Sequence, residues 1–118
     1  MEDINFSNLN AVFVNCTLKK SPEISHTDTL FKISKAIMEK ENVVVEEIRF
    51  VDHDVATGVQ PDMTQHGWDK DGWPVLFEKI FAADILIIGT PIWLGEKSSI
   101  AQKLIERLYG MSGMTNDK

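Results

Sequence analysis

One run of side chains limits the architectures open to this chain more than any other: Ala83-Asp84-Ile85-Leu86-Ile87-Ile88-Gly89-Thr90-Pro91-Ile92-Trp93-Leu94-Gly95. Its apolar centre carries no alternating polar residue, the pattern of a strand covered on both faces, as in a parallel sheet. Thr90-Pro91 stops the ladder because proline has no N–H, and Gly95 permits a turn that other side chains resist. A helix then begins. Ser98 or Ser99 can cap it, Ser99 with Gln102 makes a capping-box pattern, and Ala101, Leu104, Ile105 and Leu108 fall on one face. The unit is therefore strand, tight loop, helix, with the loop at the carboxyl end of the strand, where open α/β sheets place their ligands.

The rest of the chain repeats that unit. Ala11-Val12-Phe13-Val14-Asn15 is a short apolar strand, and a helical pattern opens at Leu30, Ile33, Ile37 and Met38, with Thr27 or Asp28 as its cap. Residues 43–50 form a second strand in which Glu46, Glu47 and Arg49 alternate with Ile48 and Phe50, suiting an edge with one wet face. Right-handed crossovers then give a parallel sheet in the order 2-1-3. The switch point falls between strands 1 and 3, so the loops that follow them face each other across one crevice. A phosphate in the first loop would meet free N–H groups of the helix start, hydroxyls of Thr17, Ser25 and Thr27, and a lysine as counter-charge. The same composition also suits a plain polar connection.

Residues 51–72 show no sustained period, and a connection of that length in a small domain is commonly functional or mobile. It leaves strand 2 at the carboxyl end, where it could cover the crevice or meet a second subunit. His53, Asp54, His66, Asp69 and Asp71 match no compact metal-ligand spacing, so no metal is assigned. Trp73, Leu76, Phe77, Ile80 and Phe81 form a helical stripe behind Pro74, expected in the core rather than against a cofactor. With 118 residues the chain makes one domain, 1–118. A net charge of −6 offers no basic stripe for nucleic acid. One cysteine, Cys16, and an amino terminus without a long apolar run suit a cytoplasmic protein with no membrane span.

Two segments, taken in order, carry a family resemblance that spans nearly the whole chain. Asn15-Cys16-Thr17-Leu18-Lys19-Lys20-Ser21-Pro22-Glu23-Ile24-Ser25-His26-Thr27 resembles the phosphate loop of NAD(P)H-dependent FMN reductases of the flavodoxin-like superfamily. Thr17 stands for that loop's serine, Lys19 for its arginine, and Ser25-His26-Thr27 for its closing triplet. His26 replaces the usual asparagine, which keeps an N–H donor but makes it pH-dependent. The segment 83–95 is similar to the family's strand-Thr-Pro-aromatic-Gly turn, which borders the isoalloxazine ring.

The resemblance implies a three-layer flavodoxin-like α/β fold and an FMN-binding oxidoreductase that moves electrons from NAD(P)H through FMN to a small acceptor. The cofactor-binding residues it implies are Thr17, Lys19, Ser25, His26 and Thr27 at the phosphate, and Thr90, Pro91, Ile92, Trp93, Leu94 and Gly95 at the ring. No side chain need act as catalytic acid or base, since the flavin carries the redox chemistry. Cys16 lacks a basic partner in sequence and sits where a small buried residue is expected. The family's sheet has two further strand–helix units, so here the sheet is expected to be truncated after the third helix. The apolar third strand then lies at an open edge that invites a homo-oligomer or another chain. Two alternatives follow: a flavodoxin-like electron carrier without turnover, and a remnant that oligomerises and binds no flavin alone.

Overall fold

The computed structural model describes Phe6 and residues 8–115; residues 1–5, 7 and 116–118, which hold much of the polar lead-in and the end of the tail, lie outside the described residues. The chain runs β1 (Asn10–Asn15), α1 (His26–Lys40), β2 (Val44–Arg49), α2 (Trp73–Ala82), β3 (Ile85–Gly89), a hairpin of β4 (Ile92–Trp93) and β5 (Glu96–Lys97), α3 (Ser99–Tyr109) and a last turn α4 (Ser112–Thr115). The first three strands pair in parallel in the order β2-β1-β3, as expected. Asn15 pairs with Arg49 on one side and with Gly89 on the other. Those three residues therefore form one row at the carboxyl edge of the sheet, from which every loop of interest departs.

Alternation along β1 divides the core into two layers. Val12 and Val14 pack with Phe50, Trp73, Leu76, Phe77, Ile80, Ala101 and Leu104, the buried stripes of α2 and α3. Ala11 and Phe13 face the other way, onto Phe31 of α1 and Val43, with Ile85 and Ile87 beside them. Trp73 anchors the larger layer, its ring 6.2 Å from Phe50 and 5.7 Å from Phe77. Gly89 ends β3 under α1: a Cβ there would run into the Phe31 ring and the Thr27 methyl, so the close crossing of helix and strand requires glycine.

Several details depart from the sequence expectations. Strand 2 stops at Arg49, and Phe50 opens a 3-10 turn, Phe50–Asp52, that carries its ring into the core. The cap of α1 is Ser25, in extended conformation with its hydroxyl accepting from Asp28 N, rather than Thr27 or Asp28. Of the two expected caps of α3 it is Ser98 that serves, accepting from Ala101 N, and the Ser99–Gln102 box does not form the cap. On α1 the stripe Leu30, Ile33 and Ile37 stays exposed while Phe31 supplies the helix's buried apolar contact. Phe81 also leaves the core, being more than half exposed. Within the polar tail, Met111 is buried and α4 follows it.

The irregular connection after β2 is tied down by one ion pair. Arg107 of α3 reaches Asp71 at 2.9 Å, both side chains fully buried, and donates to the carbonyls of Ala56, Gln60 and Pro61. Its guanidinium lies 5.7 Å from the centre of the Trp73 ring. Asp71 in turn accepts from the amides of Ala56, Met63 and Trp73. Burial pushes its carboxyl up, but those amides and the Arg107 guanidinium outweigh it and hold it below the ordinary range.

Candidate functional site

Two loops leave the carboxyl edge of adjacent strands and meet over α1. Residues 16–25 follow β1, the hairpin β4–β5 follows β3, and a cleft of about 510 Å3 lies between them. Its walls are Thr17, Leu18, Lys19, Ser25, His26, Thr27 and Leu30 on one side and Thr90, Pro91, Ile92 and Trp93 on the other. All of the expected site residues but Leu94 and Gly95 thus border one space. Those two form the tip of the hairpin, both with positive φ (53° and 78°), as a two-residue mirror-image turn requires. No residue of the connection 51–72 lines the cleft, so that segment does not cover the crevice.

The polar end of the cleft is built from the backbone outward. Asn15, buried at the end of β1, accepts from Thr17 N at 3.0 Å and donates to the Ser25 hydroxyl at 3.3 Å, so one amide side chain sets both ends of the loop. Thr17 Oγ1 accepts from Lys19 N, and Ser25 Oγ accepts from Asp28 N. Both hydroxyls spend lone pairs on the loop and keep a proton to donate. The Lys19 ammonium folds back onto Ile24 O at 3.3 Å on the exposed rim. His26 and Thr27 are the first two residues of α1, whose amides have no partner within the helix.

The apolar end comes from the second loop. Thr90 is committed internally: its hydroxyl donates to Pro91 O and accepts from Ser98 N. Ser98 then joins the two loops, donating its buried hydroxyl to Cys16 O at 2.8 Å. Cys16 N donates to Gly89 O at 2.8 Å, a second tie between the two loops. Ile92 and Trp93 remain more than half exposed, as does Leu30 opposite. Cys16 itself is fully buried, and burial pushes its thiol up to about 12, which leaves it protonated and unreactive.

A donor-rich end and an apolar end within one cleft suit a ligand that is anionic at one end and aromatic at the other. The model of the family described as NADPH-dependent FMN reductase matches residues 10–118. The chain belongs to the NADPH-dependent FMN reductase family. Among solved structures it is similar to RosB with the bound intermediate 8-demethyl-8-formylriboflavin-5'-phosphate, at 37% identity and a TM-score of 0.76, over 85% of this chain and 42% of that one. It is 36% identical over 116 residues to 8-demethyl-8-aminoriboflavin-5'-phosphate synthase of Streptomyces davaonensis, covering 92% of this chain and 44% of the synthase. It is also 52% identical over 112 residues to a protein of Mycobacterium bovis named divalent metal cation transporter MntH, covering 95% of this chain and 16% of that protein. The chain spans less than half the length of each of these proteins. Among the described residues no helix is long and apolar enough to cross a membrane, and no three His, Cys, Asp or Glu side chains are grouped to hold a metal ion.

Asn15 and Ser98 are the organising residues that the sequence did not single out for this task. Asn15 carries a weak signal, a polar residue closing an apolar strand; Ser98 was legible only as a helix cap. A second hollow, of about 380 Å3, opens among Asn10, Val44, Glu46, Glu78 and Lys79 at the amino ends of the strands. It lies at the wrong end of a parallel sheet for ligand binding.

Proposed function

We propose that this chain holds FMN in the cleft and serves an oxidoreductase that draws electrons from NAD(P)H and delivers them to a small acceptor. The observation that carries this is the convergence of the loops after β1 and β3 on one cleft lined by both polar donors and apolar side chains. The donor set fits the group: Thr17 and Ser25 hydroxyls, the His26 and Thr27 amides and the Lys19 ammonium would hold the ribityl phosphate, at the start of a helix of 15 residues. Pro91, Ile92 and Trp93 would flank the ring, and the hairpin tip at Leu94 and Gly95 would border its outer edge. Bound there, the flavin supplies hydride acceptance and electron transfer. The chain's own residues bind, orient and shield; none stands as an acid or base. A reducing, cytoplasmic setting agrees with the lone buried Cys16.

The test is direct. Protein expressed with added FMN should be yellow and should oxidise NADPH when an acceptor is supplied, and a colourless protein that binds no FMN sinks the proposal. Thr17→Ala combined with Lys19→Ala should weaken FMN at least about a hundredfold, because two donors to a dianion are lost. Flavin that is reduced by dithionite without consumption of NADPH would mark an electron carrier.

A second use of the same cleft, flavin phosphate as substrate, is favoured by one observation: the Streptomyces davaonensis relative is named for the synthesis of a modified flavin phosphate, and RosB is described with such a compound bound as an intermediate. Mass spectrometry of the flavin released after turnover separates the two, since a cofactor is recovered unchanged.

The open edge of β3 is proposed as a pairing surface. Leu86 and Ile88 are over a third exposed, and Ile105 and Tyr109 of α3 are exposed as well. The occupant we propose is the same edge of a second copy of this chain, with a further strand–helix segment, of the kind that completes the family's sheet, as the competing outcome.

A further inference from the structure

The loop 16–25 is long for a strand–helix connection, and a phosphate site made of loop donors works only if the loop is held in one shape before the ligand arrives. Asn15 fixes its two ends. Its outer part is fixed from elsewhere, by two charged side chains at the end of β2 that belong neither to the cleft wall nor to either family-like segment.

Arg49 stands next to Asn15 in the sheet register. From there its Nη1 donates to Lys19 O at 3.0 Å and to Glu23 O at 2.6 Å, so that a single nitrogen draws together the descending and ascending arms of the loop. Asp52, in the turn after β2, takes the apex: it accepts from Ser21 N at 2.9 Å and from the Ser21 hydroxyl on its other oxygen. Between these grips the loop closes on itself, Glu23 N donating to Lys20 O at 3.0 Å. The two Ser21 bonds, with Arg49 further off, keep the Asp52 carboxyl below its ordinary range, so it is ionised at neutral pH.

We propose that Arg49 and Asp52 are positioning residues for phosphate recognition: they clamp residues 19–23 from the back so that Thr17, Lys19 and the start of α1 present their donors together, and they thereby set the preference for a phosphorylated over an unphosphorylated flavin. This rests on the assignment of the loop as the phosphate end of an FMN site. Neither side chain lines the cleft, and neither needs to touch the ligand. Both contacts lie at the protein surface, so their loss removes order from the loop without opening the core.

The experiment compares FMN with riboflavin, which has the same ring and no phosphate, by flavin fluorescence titration of the whole chain. Wild type should bind FMN more tightly than riboflavin. Arg49→Ala and Asp52→Ala should each weaken FMN about tenfold or more while leaving riboflavin within about twofold, so that the FMN-to-riboflavin ratio collapses. Ser21→Ala, which keeps the amide bond to Asp52 and loses only the hydroxyl bond, should fall between and guards against a variant that does not fold. Equal weakening of both ligands would mean a general structural role and overturn the proposal, as would unchanged FMN affinity in all three variants. A wild type that fails to prefer FMN overturns the phosphate assignment itself, and the clamp with it, before any variant is made.

Discussion

Ser98 is a single hydroxyl that performs two tasks, capping α3 through Ala101 N and tying the loop after β3 to Cys16 O, 82 positions away in sequence. Its neighbour in that contact has the opposite character. Cys16 is fully buried between β1 and the core, and its thiol is pushed up to about 12 by desolvation. Alkylation by iodoacetamide at pH 8 should therefore be absent in the folded protein and appear only as denaturant unfolds it. Mass spectrometry along a urea titration reads this out, and fast labelling of native protein would contradict the burial. Leu94 is a different case: its φ of 53° puts a bulky side chain in left-handed backbone at a fully exposed hairpin tip. Asn fits that conformation better, so Leu94→Asn should raise the melting temperature, with a gain of about 1 kcal/mol.

At the scale of elements, α3 and the connection after β2 form one mechanical unit through Arg107. The pair with Asp71 is fully buried, and Nη1 and Nη2 of Arg107 also donate to the backbone carbonyls of Ala56, Gln60 and Pro61. Arg107→Ala would leave the Asp71 carboxylate buried with its chief counter-charge gone, and should cost about 3–5 kcal/mol in a denaturant titration. The same pair sets an acid limit. Asp71 has a folded value below the ordinary 3.8, so its bonds stabilise the fold fully above that value and are lost as pH falls through the lower folded value. Acid unfolding monitored by Trp fluorescence should begin below about pH 4 in wild type. In Asp71→Asn that contribution to the acid slope should vanish. The helix α1 shows the reverse economy, with Leu30, Ile33 and Ile37 exposed along one stripe although their spacing marks a buried face.

For the whole molecule, the consequence is an unfinished surface. The β3 edge and the exposed stripe of α1 are apolar surfaces that the described residues do not cover, and Leu30 of that stripe shares the cleft with Ile92 and Trp93 of the loop after β3. An edge strand that is flat and apolar pairs readily with another strand. Native mass spectrometry should find the chain associated, and Leu86→Lys, which places a charge on the exposed face of the edge, should return it to the monomer. A monomer at micromolar concentration in wild type would remove the pairing proposal while leaving the cleft intact.

Local patterns were enough to determine the strand–loop–helix units, the parallel order 2-1-3 and the two loops that face one another, because each depends on periodicity, on proline and glycine backbone limits, or on the handedness of crossovers. The same patterns misplaced the cap of α1 by two or three residues, and they assigned Leu30, Ile33, Ile37 and Phe81 to faces whose burial depends on what packs against them. Only the tertiary structure decided the roles of Asn15, Ser98, Arg49 and Asp52. Each acts through hydrogen bonds to a loop reached by register or by crossover, and a polar side chain's partners leave no period in the sequence that supplies it.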